Sequence, residues 1–454
     1  MEEFTIVRQL IRVGTSASEY KSATSILLAM TTGGKRQFKP LSDKSLDGNE
    51  IENDEESVNI LPVNDEPETP DGHPARRLVK KRYILYFVTG VCLITMTMTL
   101  LFSVARMHPW YGCQPQRFVP LPDTVTVLDT VTFGSCAMQS LPHPFWDTMA
   151  NLRPNLFIFG GDNVYGDNNG GAWMPACSDS SCQVLKEAYH ELEKKPSFTG
   201  FRAKYPILAV WDDHDFGVND GGASFPYKRN SMAIFKKFFE IDDKRNKDPR
   251  RGRDGVYGAW WYGVDTRRVH IVVLDCRFFK SNWALRDPKK TYSKKGSYLP
   301  STSSEKTMLG EVQWSWFEQE LSQRSEVCLI VSSIQVISTA TEYENWGLFP
   351  NERLRVLNML ENSACGAVLI LSGDRHVGGI YRSGTLVEVT SSSLTHTMKY
   401  ISEIDPTRLH PLVEVNNFGA LSFHWEQKTV VATLREGEGR HAGSVIQTVN
   451  ITFR

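Results

Sequence analysis

Three acidic segments of the sequence carry side chains that could hold metal ions, and each one follows an apolar run. The segments are 160–167 (GGDNVYGD), 211–215 (WDDHD) and 372–376 (SGDRH). Apolar runs of this length predict buried strands, and function in open α/β sheets gathers beyond the carboxyl ends of the strands. We therefore expect the three segments to meet. Carboxylate and imidazole groups are the ligands that a hydrolytic di-metal centre needs, so the sequence predicts one metal site assembled from distant parts of the chain.

The elements that must position these segments follow from the apolar pattern. A further strand, 125–133, ends in Gly134-Ser135-Cys136. The spacing predicts helices over 143–153, 311–323 and 351–361, and strands over 269–274 and 327–331. The last stretch predicts short strands in antiparallel pairs that close a second sheet, over 418–425, 430–434 and 445–453. The pattern indicates two facing sheets with helices outside.

Two of the segments also carry a local argument for a cation. Segment 211–215 crowds three carboxylates around one imidazole, and a bound cation would relieve that repulsion. A solvated acidic loop is the alternative. Asp374 and His376 alternate around Arg375. If this segment is extended, residues two apart point the same way, so Asp374 and His376 would face one site.

The order of the motifs resembles that of the PhoD-like metallophosphatase family, of the alkaline phosphatase/phosphodiesterase D type. The motifs are FGSC (133–136), GDNVYGD (161–167), WDDHDFGVND (211–220) and SGDRH (372–376), with further agreement at 274–277, 309–314, 332–335 and 390–396. The resemblance implies an α/β fold, a four-layer α-β-β-α metallophosphoesterase-like sandwich of two mixed sheets. Lys280 stands where the family often has a second arginine, which puts a second guanidinium contact in doubt.

The resemblance also implies roles for individual residues. Asp162 would bridge two metal ions, and the Cys136 thiolate and the Tyr165 phenolate would bind a ferric iron. The implied metal ligands are Cys136, Asp162, Tyr165, Asp213, Asn219, Asp374 and His376. The implied catalytic residues are Asp162, His214, Arg277 and Arg375. Two or more ions are expected, iron together with calcium or another divalent ion.

Each candidate has a purely structural alternative. Asp162 could cap the next helix or turn, Cys136 could be a small buried residue, and Tyr165 could be a core aromatic. Arg277 could contact phosphate through its guanidinium. It could equally form an ion pair with Asp275 or with another carboxylate.

A segment of 23 uncharged residues, 83–105, is long enough to cross a bilayer as one helix. Five basic residues precede it closely and Arg106 follows it, so the positive-inside rule predicts a single-pass type II protein with a lumenal or extracellular catalytic domain. The predicted organisation is a cytosolic, largely disordered tail (1–82), the membrane helix (83–105), a juxtamembrane linker (106–129) and the metallophosphatase domain (130–454). A buried core helix and a cleaved signal peptide fit this segment less well.

Seven of the eight cysteines follow the predicted membrane helix. In an oxidising compartment this odd number leaves at least one thiol without a partner inside the chain. Cys177 and Cys182 could close a local disulfide. A metal-bound Cys136 would explain the odd count, and Cys113 could instead pair between chains.

The sequence as a whole predicts a membrane-anchored phosphohydrolase that cleaves phosphate mono- or diesters with a water activated by metal ions. The formal net charge of −1 gives no nucleic-acid-binding signal. His396 could protonate a leaving group, although an ordinary loop histidine is the more frequent case. The alternatives are a lipid phosphodiesterase of phospholipase D-like specificity, and a non-catalytic membrane receptor that keeps the fold. Crowded carboxylates argue against the receptor, because a scaffold gains nothing from them. The sequence leaves the substrate and the oligomeric state open.

Overall fold

The computed structural model describes residues 86, 89–99, 117–169, 172–244, 246–287, 298–341 and 343–454. The predicted tail, both ends of the predicted membrane segment and the first part of the predicted linker lie outside the described residues. Residues 89–99 are helical. No helix of the described residues is both long and apolar enough to cross a membrane.

Two six-stranded mixed sheets form the frame of the described part of residues 130–454. In chain order the strands are β1 (Thr130–Gly134), β2 (Leu156–Gly160), β3 (Asn168–Asn169), β4 (Ala172–Trp173), β5 (Ile207–Val210), β6 (Gly258–Tyr262), β7 (Val269–Val273), β8 (Ala284–Leu285), β9 (Tyr298–Leu299), β10 (Ser325–Ser332), β11 (Cys365–Ser372), β12 (Gly378–Ser383), β13 (Leu386–Ser391), β14 (Asn417–His424), β15 (Thr429–Glu436) and β16 (Val445–Thr452). The first sheet has the order β16-β15-β14-β1-β2-β5, and the second has the order β12-β13-β11-β10-β7-β6.

Each sheet contains a block of parallel strands. In the first sheet β1, β2 and β5 are parallel, whereas β14, β15 and β16 add on in antiparallel pairs. In the second sheet β7, β10, β11 and β13 are parallel, and β6 and β12 are antiparallel edges. The three acidic segments of the sequence follow β2, β5 and β11 directly. The parallel blocks therefore carry the chemistry at their carboxyl ends.

The helices are α1 (Phe145–Ala150), α2 (Gln183–Glu193), α3 (Pro196–Arg202), α4 (Asp213–Phe216), α5 (Lys228–Phe238), α6 (Gly310–Leu321) and α7 (Pro350–Glu361). Side chains alternate between the faces of a strand, and the core follows that rule. Ile271 and Val273 of β7 belong to the apolar cluster that also contains Val131 of the first sheet. Val272, between them, belongs to a second cluster with Trp314 of α6. Burying each of these side chains contributes about 1.5–3 kcal/mol.

Several predicted elements differ from the structure. The three C-terminal strands do not close a second sheet; they extend the first one, because β14 pairs with β1. The strand predicted over 125–133 begins only at Thr130, and Val125 is exposed. Periodicity identified these elements, but it could not fix which sheet a strand joins.

Replacing Gly419 by Ala should destabilise the first sheet. Gly419 of β14 lies opposite Phe133 of β1, and a β-carbon there would overlap the Phe133 ring. Forcing extra volume into a packed core costs about 1–3 kcal/mol, so we expect a lower midpoint in thermal unfolding. The matched control is Gly437→Ala, where the new carbon would meet its nearest atoms at 3.4 Å. Equal midpoints for the two variants would contradict this packing.

Candidate metal centre

Asp162 occupies the middle of the site. It follows β2 and two glycines, it is fully buried, and its φ of 49° places it in the left-handed region. Its carboxylate belongs to three groups of potential ligand atoms, and within each group all of these atoms lie within 4.8 Å of one another. The groups are Cys136 with Asp162 and His376; Asp162 with Asp213 and His214; and Asp162 with Asp212, Asp213 and Asp374.

One side of Asp162 carries a thiol, a phenol and two imidazoles. The Cys136 sulfur and the Tyr165 hydroxyl each lie 3.4 Å from Asp162 Oδ2. The same hydroxyl lies 3.0 Å from His376 Nε2 and 3.3 Å from His396 Nε2. His396, which the sequence offered as a group that could protonate a leaving group, therefore lies beside these residues.

Burial keeps these groups neutral when no ion is bound. Burial raises the pKa of Cys136 to about 12, against the hydrogen bonds from Ser135 and Ser392. Burial, followed by the charges of His396 and His214, lowers the pKa of His376 to about 3. A neutral imidazole is ready to bind a metal. The thiol needs a neighbouring cation before it ionises.

Asp162 is also grouped with the carboxylates of Asp212, Asp213 and Asp374. Burial and the charges of Asp212 and other acidic neighbours raise the pKa of Asp374 well above its ordinary value. Burial and neighbouring acidic groups likewise raise the pKa of Asp162, although His214 opposes this. Burial also disfavours ionisation of Asp213, but His214 and Arg277 together hold its pKa below the ordinary value.

His214 is oriented by a carboxylate that the sequence analysis did not single out. Its Nδ1 lies 2.8 Å from Asp167 Oδ1, and both side chains are buried. The imidazole also packs on the Tyr165 ring at a centroid distance of 4.2 Å. Asp167 closes the same motif as Asp162, so its place in GDNVYGD was the available signal.

The segment with Asp374 and His376 is not extended. The alternation of side chains along a strand is therefore not the reason that both residues face the site. Asp374 has a φ of 68° and His376 has a φ of 54°. The chain turns tightly here, with the Arg375 N–H donating to the Gly373 carbonyl. Both side chains reach the Asp162 groups from left-handed backbone, and the buried Arg375 turns to Glu403 instead.

Arg277 is enclosed by carboxylates. It is fully buried, its Nε donates to Asp212 Oδ1 at 2.5 Å, and its Nη2 lies 2.8 Å from Glu344 Oε2. Of the two predicted outcomes, the structure therefore shows the ion pair, with Asp212 and Glu344. Asp275 instead accepts the Arg277 backbone N–H.

Two further carboxylates extend the acidic side. Ligand atoms of Asp213, Asp220 and Glu344 also lie within 4.8 Å of one another. Asn219, the predicted amide ligand, is exposed. Asp220 could have been suspected from its place in WDDHDFGVND. Glu344 lies in a loop far along the chain and carries no sequence signal.

The residues present fit metal ions. Asp212 Oδ2 is buried and has no hydrogen-bond partner among the described residues. Several carboxylates share the space around Asp162 with few basic side chains, and burying such a group without compensation is costly. A bound cation would satisfy both the oxygen and the excess charge.

The cysteines agree with an unpaired Cys136. The predicted local disulfide Cys177–Cys182 is present, and Cys328–Cys365 joins β10 to β11. Cys136 and Cys276 are buried and form no disulfide within the described part of the chain. Cys113 lies outside the described residues.

Comparison with known proteins decides the family. A model of the PhoD-like phosphatase family matches residues 132–401, more than half of the chain. The chain belongs to the PhoD-like phosphatase family. This membership confirms the resemblance drawn from the motifs, and the matched region includes every predicted site residue.

Individual relatives of this family member are distant. Alkaline phosphatase D of Bacillus subtilis (strain 168) is 22% identical over 308 residues, which cover 61% of this chain and 51% of the relative. The chain thus spans about half the length of that curated relative. A solved structure of PhoD is similar with a TM-score of 0.52 and 16% identity, covering 74% of this chain and 70% of that one. That likeness confirms the mixed α/β two-sheet fold.

Proposed function

We propose that this PhoD-like protein is a metal-dependent hydrolase that cleaves phosphate mono- or diesters. The observation that carries the proposal is the position of Asp162, whose carboxylate lies in three groups of potential ligand atoms. Family membership supports the same reaction class. Such ions, when bound, polarise a phosphoryl group and lower the pKa of a water, which is the chemistry the hydrolysis needs.

In the proposal the ligands divide by chemistry. The thiol, phenol and imidazole of Cys136, Tyr165 and His376 suit iron. The oxygen ligands of Asp213 and Asp374 suit calcium or another divalent ion. Asp162 would be shared between the two sets, and Asn219 is a further candidate ligand for the second ion, together with Asp213.

The proposed proton donor to the leaving oxygen is His214. In the metal-free protein burial opposes its protonation, but Asp213, Asp162 and Asp167 outweigh this effect and raise its pKa well above the ordinary value. With metal ions on Asp162 and Asp213, Asp167 would be the carboxylate that still favours the protonated ring. Asp167 accepts the hydrogen bond from Nδ1 and fixes the ring, and in the proposal the proton that is transferred is the one on Nε2. Asp167 is therefore a positioning residue.

Arg277 and Arg375 have different places in the proposal. Arg277 neutralises Asp212 and Glu344 from inside the site. From this position its positive charge would stabilise the negative charge that develops on the phosphoryl oxygens. Arg375 is paired with Glu403, so a direct role for it requires exchange of that partner for the substrate.

Asp167→Asn should reduce kcat by about 10–100-fold, which is the usual cost of losing an outer-shell partner. The loss should be larger for an alkyl phosphate than for 4-nitrophenyl phosphate, because a good leaving group needs less proton donation. The control is Asp147→Asn, an exposed carboxylate on α1. An equal loss for both esters would contradict the orienting role.

The direct test of the proposed function is a panel of esters given to the purified full chain. The panel contains 4-nitrophenyl phosphate, bis(4-nitrophenyl) phosphate and a phosphatidylcholine dispersion. Turnover of either nitrophenyl ester that needs added metal supports the proposal. Turnover of the lipid alone would favour the lipid phosphodiesterase, and no turnover of any ester would favour the non-catalytic receptor.

We also propose the remaining architecture on the basis of the sequence. The four-layer order helix–sheet–sheet–helix is supported by the apolar cluster that contains side chains of both sheets. The membrane helix (83–105) and a lumenal or extracellular catalytic domain are supported by the length of the apolar segment and by the basic residues before it.

Topology can be tested in sealed vesicles with the cytosolic face outward. Protease should leave a fragment from about residue 106 onward intact until detergent is added. Asn450 of the Asn450-Ile451-Thr452 acceptor sequence is exposed on β16, so it should carry a glycan in a secretory compartment. Digestion of the catalytic domain without detergent would refute this orientation.

A further inference from the structure

We infer that Ser392 is a positioning residue of the metal centre, which ties the sulfur of Cys136 to the backbone of His376 and donates a hydrogen bond to that sulfur when an ion is bound. The inference rests on the proposed function, in which Cys136 and His376 bind the same ion. Ser392 directly follows β13 and is fully buried. Burying a hydroxyl is costly unless hydrogen bonds compensate it, so its partners indicate its role.

The Ser392 hydroxyl lies between two of the proposed ligands. It accepts the backbone N–H of His376 at 2.8 Å, and its oxygen lies 3.1 Å from Cys136 Sγ. A hydroxyl has one proton to donate and two lone pairs to accept. The contact with the His376 N–H uses a lone pair of the oxygen, so the proton of Ser392 is available to the sulfur.

This direction of the hydrogen bond suits the sulfur with and without a metal. In the metal-free protein the Cys136 thiol can donate its own proton to Asp162 Oδ2, which lies 3.4 Å away, and accept the proton of Ser392. A metal-bound thiolate has no proton, so it only accepts, and the Ser392 hydroxyl is already in place as its donor. Hydrogen bonds to a metal-bound sulfur tune the electronic properties of the metal. By drawing charge from the sulfur, Ser392 would leave the ion more of its positive charge for the phosphoryl oxygens.

A second hydroxyl beside the sulfur has a further partner. Ser135 Oγ lies 3.4 Å from Cys136 Sγ, and it also donates to the Ser391 carbonyl at 3.1 Å. Its one proton therefore serves two acceptors. Ser392 makes the shorter contact with the sulfur, and the same oxygen holds the backbone of His376.

The segment that carries Ser392 also holds the backbone of Cys136. Cys136 has a φ of 63°, in the left-handed region that residues with a β-carbon adopt infrequently. Its carbonyl accepts the backbone N–H of Thr395 at 3.3 Å and the Thr395 hydroxyl at 3.1 Å. Segment 392–395 thus holds both ends of this residue, the carbonyl through Thr395 and the sulfur through Ser392.

The test replaces the native ions by cobalt(II), whose bond to a thiolate gives a charge-transfer band. The metal-free full chain is titrated with cobalt(II), and loss of the band in Cys136→Ser assigns it to Cys136. In Ser392→Ala we expect the band at longer wavelength, because no hydroxyl draws charge from the sulfur. The dissociation constant for cobalt(II) should rise by about 10–100-fold, the usual effect of losing an outer-shell partner.

Ser393→Ala is the matched control. Ser393 is the next residue, it is fully buried, and its hydroxyl has no hydrogen-bond partner among the described residues. This variant should keep the band and the affinity of the wild type. Ser392→Thr keeps the hydroxyl, so its band should stay at the wild-type wavelength, which separates the hydrogen bond from a general disturbance of packing.

A band that does not shift in Ser392→Ala would overturn the inference. A Ser392→Thr band displaced to longer wavelength would do the same, and this variant decides the matter if Ser392→Ala binds no cobalt(II). A wild-type chain without a band that depends on Cys136 would overturn the ligand role of Cys136 and the inference with it. Failure of the proposed function is a different result, namely wild-type protein that hydrolyses neither nitrophenyl ester in the presence of metal.

Discussion

Asp162→Asn is expected to reduce phosphoester turnover by about 10³-fold or more and to lower the number of bound metal ions. The carboxylate of Asp162 belongs to three groups of potential ligand atoms, so neutralising it weakens binding on both sides of the site. A bound ion contributes several kcal/mol of charge stabilisation in the transition state, and each 1.36 kcal/mol is a factor of ten in rate. The measurements are kcat/KM for 4-nitrophenyl phosphate and metal content per chain.

The fold should survive this substitution. Burial and acidic neighbours raise the pKa of Asp162, which means that the folded, metal-free protein disfavours the carboxylate. An amide of the same shape should therefore leave the unfolding midpoint of the metal-free protein unchanged or higher. Asp254→Asn is the control, since this carboxylate is exposed and pairs with Arg229. Activity and metal content like those of the control would show that Asp162 does not bridge metal ions.

Cys136→Ser is expected to lower kcat/KM by more than the about 10–100-fold that loss of an outer-shell partner causes, because the proposal makes the sulfur a direct metal ligand. Without a metal, burial raises the pKa of this thiol to about 12. A bound metal ion must therefore lower this pKa before the thiolate can form. If the ion is ferric and Tyr165 also binds, charge transfer should colour the wild-type protein. The variant should lose part of its metal, and its colour should weaken accordingly and change in wavelength because the thiolate is gone.

Cys276→Ser is the matched control for this variant. Cys276 is also buried without a disulfide, but its sulfur lies beside the Ser332 hydroxyl at 3.5 Å. It should keep the colour, the metal and the activity. Two results would contradict the ligand role of Cys136: a disulfide at Cys136 in active protein, or unchanged metal content in Cys136→Ser.

The residues at strand ends were predictable because their position depends on local sequence. An apolar strand followed by glycines and Asp162 can be recognised without knowing what lies opposite. The same holds for Asp213, and the structure brings both into one group. Parallel strands place such residues at a common edge, so motif order was enough to bring them together.

Other features depend on long-range packing that the sequence does not display. Glu344 reaches Arg277 from a loop without any periodic pattern. The left-handed backbone of Asp374 and His376 was missed because non-glycine residues with positive φ leave no clear sequence signal. The pairing of β14 with β1 was missed because alternation identifies a strand but does not name its neighbour.

The central claim is that Asp162 and its neighbours hold metal ions on which phosphoester hydrolysis depends. The most direct measurement is elemental analysis of the purified full chain, with turnover of 4-nitrophenyl and bis(4-nitrophenyl) phosphate followed before chelation, after chelation and after metal is restored. We predict two or more ions per chain, turnover that falls with their removal, and recovery when they are restored. Active protein that holds less than one ion per chain, and that keeps its turnover in the chelator, would contradict the account.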